Sequence, residues 1–205
     1  MTAVKICGLT RPEDVTTACE LGAAYVGFNF VASSPRRVTE AIARELAAAA
    51  APGVLRVGVF AGEDADTIAR AIEAGRLQLV QLHRRLTEEE VASSPVPIIA
   101  VARPAGGDLA VPRHEILVRC HAVLFDPSEG TGKTLDPTRL EEASWPVPVL
   151  LAGGLDPESV GAVIRRLRPA GVDVASGVES APGIKDREKL ERFFAAVKKA
   201  DSEAS

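Results

Sequence analysis

Eight short runs rich in β-branched and aromatic residues recur along the chain, at residues 4–7, 25–30, 55–59, 77–82, 98–101, 122–125, 149–152 and 171–175. Their central residues Val4, Val26, Val57, Val80, Ile99, Val123, Val149 and Val172 are spaced by 22, 31, 23, 19, 24, 26 and 23 residues. Each interval has room for one helix and two short loops, which is what a parallel crossover needs. Apolar residues recur at helical spacing over 11–21, 39–50, 63–73, 157–167 and 186–200, with shorter patterns at 87–92 and 137–143. The stretch 106–120 is the weakest, with Pro112 inside it. Eight strands alternating with helices predict an α/β protein, a (β/α)8 TIM barrel, as one compact domain over residues 1–205. A doubly wound sheet is the alternative. It usually carries G-x-G-x-x-G after its first strand, and Cys7-Gly8-Leu9-Thr10 lacks that turn.

Composition narrows the class of function. The chain is 46% hydrophobic and 25% charged, enough for one sizeable core, and its net charge of −4 is spread rather than blocked. This gives no footprint for nucleic acid or an anionic membrane. Arg165, Arg166 and Arg168 are expected on the solvated face of a helix. Cysteines at 7, 19 and 120 are odd in number and lack C-x-x-C spacing, so neither a disulfide framework nor a zinc site is indicated. No apolar run approaches the ~18 residues of a spanning helix, and the first residues read as strand rather than signal peptide. The expectation is a soluble cytoplasmic protein, monomer or homodimer, acting on a small molecule.

In a barrel of this kind, chemistry belongs at the C-terminal strand ends. Cys7 ends the first strand, and Thr10 is expected to cap the helix that follows. A cysteine there is either a reactive thiol or a small buried filler. Lys5 alternates onto the same inward face, where its charge would lower the thiol pKa. A Schiff-base role for Lys5 is a competing reading. Asp126 ends the sixth strand, three places around the ring from the first, so an acid and a base face one another across the mouth. Followed by Pro127, it is alternatively a turn-former. Gly153-Gly154 after the seventh strand, leading to a helix opened by Asp156-Pro157, and Ser176-Gly177 after the eighth suit a phosphate group. Arg36, after the second strand, offers a donor fork for a carboxylate, whereas Arg37 reads as a surface residue. Gln81 and His83 alternate inward on the fourth strand and either line a pocket or satisfy each other. Gly130-Thr131-Gly132-Lys133-Thr134 is no nucleotide-binding loop, because Pro127 stands where the first glycine is required; a lid beside Asp126 is the better reading.

Val4-Lys5-Ile6-Cys7-Gly8, Ser34-Pro35-Arg36, Val80-Gln81-Leu82-His83, the 130–134 loop, Ala152-Gly153-Gly154-Leu155 and Val172-Asp173-Val174-Ala175-Ser176-Gly177-Val178-Glu179 together resemble the phosphoribosylanthranilate isomerase family. The match runs in order from residue 4 to about 186. The resemblance implies a cofactor-free and metal-free Amadori rearrangement in tryptophan biosynthesis. It implies Cys7 as general base, Asp126 as general acid and Arg36 as the holder of the anthranilate carboxylate. It also implies phosphate binding by the Gly153, Gly154, Ser176 and Gly177 loops, and an Asp173 that belongs to the substrate pocket. Two departures stand out: Arg84-Arg85 follow His83 where the family often has glycine, and Leu135-Asp136-Pro137 replaces an aromatic run. A histidine-pathway isomerase and a non-catalytic phosphosugar-binding barrel are the alternatives.

Overall fold

The computed structural model describes residues 1–105, 108–110, 112–126 and 145–203. Its strands are β1 (Ala3–Ile6), β2 (Tyr25–Asn29), β3 (Leu55–Phe60), β4 (Leu79–Leu82), β5 (Ile98–Ala105), β6 (Asp108–Ala110), β7 (Ala122–Phe125), β8 (Val149–Leu151) and β9 (Gly171–Val174). Eight of them pair in parallel in the order β4-β3-β2-β1-β9-β8-β7-β5, and β4 also pairs with β5, so the sheet closes on itself. That is the predicted barrel. The helices are α1 (Pro12–Leu21), α2 (Glu40–Ala49), α3 (Ala65–Gly75), α4 (Glu88–Ser93), α5 (His114–Leu117), α6 (Val160–Leu167) and α7 (Arg187–Glu203). Side-chain caps begin several of them: Thr39 accepts from the Ile42 N–H, Asp64 from Thr67, and Thr87 forms a reciprocal capping box with Glu90.

Strand alternation divides the buried residues into two sets. Val57, Leu79, Ile99, Val101, Ala122, Leu124, Leu150 and Ala152 pack inside the barrel. Ile6, Val26, Phe28, Leu46, Phe60 and Phe193 belong to the shell between sheet and helices. At the N-terminal end of the strands the Tyr25 hydroxyl meets His121 Nε2 at 3.2 Å, and the two rings sit edge to face. Above the apolar interior layer come Lys5, Gln81 and Asp173, all buried. The registers Lys5 with Asp173 and Val59 with Gln81 hold these polar groups just below the mouth.

Several expectations are corrected. Thr10 does not cap α1: Arg11 occupies the cap position without a side-chain cap bond, and the Thr10 hydroxyl donates to the Gly183 carbonyl at 2.5 Å. The helix after β8 starts at Val160, because the Asp156 carboxylate first accepts from the Glu158 and Ser159 N–H groups and closes a turn. β5 runs four residues beyond its predicted end and turns back onto the antiparallel β6. A further hairpin, β10 (Glu179–Ala181) and β11 (Ile184–Lys185), follows β9. The predicted helix at 137–143, the 130–134 loop and the Leu135-Asp136-Pro137 departure lie outside the described residues. Arg165, Arg166 and Arg168 are exposed, as expected.

Candidate active site

A cavity of about 500 Å3 opens at the C-terminal ends of the barrel strands. Cys7, Gln81, His83, Asp126, Gly153, Gly154, Asp173 and Ser176 all line it, so most of the predicted site residues share one space. Arg103 lines it too, and was missed in the sequence. Among the described residues, no three His, Cys, Asp or Glu side chains gather closely enough to hold a metal ion.

Cys7 follows β1 directly, its N–H bonded to the Val174 carbonyl at 2.8 Å. Gly27 makes the room for it. A Cβ at Gly27 would lie 3.0 Å from Cys7 Sγ and 3.3 Å from Lys5 Nζ. Burial pushes the Cys7 thiol up from its ordinary value, and Asp173 adds to the rise, while Lys5 and Lys185 pull it back. The expected effect of Lys5 is present in sign but smaller than that of burial, so the thiol rests protonated. Lys5 Nζ donates to Asp173 Oδ1 at 2.9 Å inside the barrel. Burial works against its charge, but Asp173 and Cys7 prevail and the amine is pushed up to about 12. An ammonium buried against Asp173 is ill suited to Schiff-base chemistry, which counts against that reading.

Opposite Cys7 stands a connected polar wall. Arg103 donates to His83 Nδ1, and its Nη2 lies 3.8 Å from Asp126 Oδ2. A guanidinium is a donor only, so Nδ1 is the acceptor and the neutral ring carries its proton on Nε2. The Gln81 amide end lies 2.6 Å from that nitrogen. The amide nitrogen is the atom facing that ring nitrogen and Gln81 Oε1 is buried without a partner; turning the amide over sets Oε1 against the Nε2 proton. Burial and the Arg103 charge push His83 down to about 4, against the opposing pull of Asp126. Gln81 and His83 therefore do both things at once: they satisfy each other and line the pocket.

Gly153, Gly154 and Ser176, of the loops after β8 and β9, line the cavity. Gly153 and Gly154 have φ of 93° and 68°, conformations that favour glycine and turn the backbone under the cavity. Gly177 does not line the cavity. A Cβ there would lie 2.0 Å from the Leu155 carbonyl oxygen, so its part is to let the two loops meet.

Arg36 departs from its expected setting. Ser33 and Ser34 of its loop line the cavity, but the Arg36 Nε and Nη2 donate to the Glu179 carboxylate at 2.8 and 2.6 Å. The paired edge expected to grip a ligand is taken by Glu179, with Nη1 outside that grip, and Arg36 itself is not among the residues that line the cavity. Its stem runs over Gly8, whose φ of 71° and missing side chain make room; a Cβ there would lie 2.4 Å from Arg36 Cδ.

Comparison with known proteins gives this geometry a context. A family profile described as N-(5'phosphoribosyl)anthranilate (PRA) isomerase matches residues 4–196. The chain belongs to the phosphoribosylanthranilate isomerase family. An N-(5'-phosphoribosyl)anthranilate isomerase of Chlorobaculum parvum is 40% identical over 98% of this chain and 97% of its own. The crystal structure of the phosphoribosyl anthranilate isomerase of Thermus thermophilus superposes with a TM-score of 0.84 at 36% identity, covering 97% of this chain and 99% of that one. A second phosphoribosyl anthranilate isomerase was solved in complex with reduced 1-(o-carboxyphenylamino)-1-deoxyribulose 5-phosphate. It superposes with a TM-score of 0.78 at 30% identity, covering 97% of this chain and all of the other. Membership of the isomerase family agrees with the resemblance carried by the strand-end motifs.

Proposed function

We propose that this protein converts N-(5'-phosphoribosyl)anthranilate to 1-(2-carboxyphenylamino)-1-deoxyribulose 5-phosphate in the cytoplasm, with Cys7 as base and Asp126 as acid. The observation that carries this reading is the placement of a thiol and a carboxyl on opposite strand ends of one cavity. The relative bound to a reduced form of that product supports it, as does the absence, among the described residues, of a helix long and apolar enough to cross a membrane. Asp126 protonates the furanose ring oxygen and the ring opens to a protonated imine. Cys7, as thiolate, removes the proton from C2, and the enolamine tautomerises to the ketone. Gly153, Gly154 and Ser176 hold the phosphate, Arg36 reaches the anthranilate carboxylate through Nη1, and Asp173 borders the sugar.

The test follows loss of the fluorescence of freshly generated substrate. Cys7→Ser and Asp126→Asn each lower kcat by ~10²–10⁴-fold with KM changed only a few-fold. Because burial keeps the thiol protonated, kcat/KM rises with pH and its inflection lies above the ordinary thiol value. Either variant at near wild-type turnover removes the role assigned to that residue. Decay no faster than in buffer, from folded wild type, removes the reaction.

A further inference from the structure

Beneath Cys7 and Arg36 lies a charged cluster to which the reaction scheme assigns nothing. Glu179 and Lys185 stand on adjacent strands of the β10–β11 hairpin, are nearly inaccessible to solvent, and are joined at 2.8 Å. Each has several further partners. Glu179 accepts both Arg36 bonds and the Gly183 N–H at 3.2 Å. The Lys185 ammonium spends its three protons on Glu179, on the Cys7 carbonyl at 2.6 Å and on the Ala175 carbonyl at 3.1 Å. One hairpin thereby grips the ends of two barrel strands and the guanidinium of a third loop.

The hairpin is itself anchored. The Lys185 N–H donates to Asp14 of α1, whose carboxylate is held by Arg11 through two bonds. Lys189 donates to the Glu179 carbonyl, and Thr10 to that of Gly183. Gly183 takes a φ of 82°, which a two-strand turn of this tightness needs.

We propose that Glu179 and Lys185 are positioning residues of the isomerisation: Glu179 aims the Arg36 guanidinium and Lys185 fixes the peptide that carries the Cys7 thiol. The proposal rests on the roles given above to Cys7 and Arg36. It assigns no contact with substrate to either residue. The Lys185 charge also acts on the thiol. Lys185 and Lys5 favour its thiolate and Asp173 opposes it, Arg36 lies near enough to interact with it, and Asp126, His83 and Arg103 face it across the cavity. Removal of the Lys185 cation therefore disfavours the thiolate.

The experiment measures kcat, KM and the pH profile of kcat/KM in wild type and in Lys185→Met, Glu179→Gln, Lys185→Arg and Glu179→Asp. Lys185→Met is expected to lower kcat at least tenfold and to move the inflection to higher pH. Glu179→Gln raises KM at least fivefold with kcat changed less, because the Arg36 guanidinium loses its guide. A purely structural loss moves neither the inflection in Lys185→Met nor the balance of KM against kcat in Glu179→Gln, and either of these unmoved overturns the proposal. If either uncharged variant fails to fold, the charge-preserving pair decides. Glu179→Asp, too short for the paired grip, raises KM with the inflection unmoved, and Lys185→Arg lowers kcat with the inflection unmoved. Both within twofold of wild type overturn the proposal. Wild type that does not consume phosphoribosylanthranilate overturns the functional reading instead.

Discussion

At His83, an imidazole that ordinarily titrates near 6.5 is held neutral down to about 4. As the pH falls across that window, the unfolded chain gains a proton that the folded ring refuses. Stability is therefore complete above about 6.5 and declines toward pH 4, by up to ~3 kcal/mol for this one group. His83→Gln is expected to lose less stability than wild type between pH 7 and pH 4.5 in urea titrations. Equal losses would show that His83 does not titrate in this way. Asp173 is tied to Lys5 by an ion pair buried inside the barrel. Asp173→Asn leaves an ammonium inside the barrel with a weaker partner, and is expected to cost about 3–5 kcal/mol. A urea midpoint within error of wild type would refute that. Cys7 and Asp126 were legible because each closes a run whose strand end was clear. Arg103 was missed because the fifth run was read as ending at Val101, although alternation through Ile99 and Val101 already pointed position 103 inward. The thiol's resting state was not legible, since it depends on burial that only the closed barrel creates.

At the scale of elements, the loops after β8 and β9 meet through Gly177. The obstacle to a side chain there is backbone, the Leu155 carbonyl oxygen, so neither loop has a flexible group that can yield. Gly177→Ala is expected to displace the Ser176 end of the loops proposed to hold the phosphate and to raise KM about tenfold, with kcat reduced less. An unchanged KM, measured alongside inorganic phosphate as competitor, would mean that the loops do not grip phosphate as a pair. Helix positions were largely readable from apolar spacing, and so were the starts of α2 and α4, but the capping of α1 and α6 was not. Thr10 and Asp156 are both good capping residues, and both are engaged elsewhere, by Gly183 and by a tight turn. Pro182-Gly183 was the available signal for the β10–β11 hairpin. Two strands of three and two residues are too short for periodicity to reveal.

Across the whole molecule, the eightfold alternation of strand and helix specifies the ring, and closure through β4 and β5 sets Cys7 against Asp126. That much follows from spacing. Which inward residues pair between neighbouring strands, as Lys5 does with Asp173, depends on strand register, which spacing along one chain does not contain. The interior also has a direction. Below the polar layer it is filled by Val57, Leu79, Ile99, Ala122 and Leu150, with Tyr25 and His121 joined at the far end. Nothing the size of a phosphosugar can leave that way. On the proposed reading substrate and product use the same mouth and the same glycine loops, so product that accumulates at high conversion is expected to compete with substrate for the chamber.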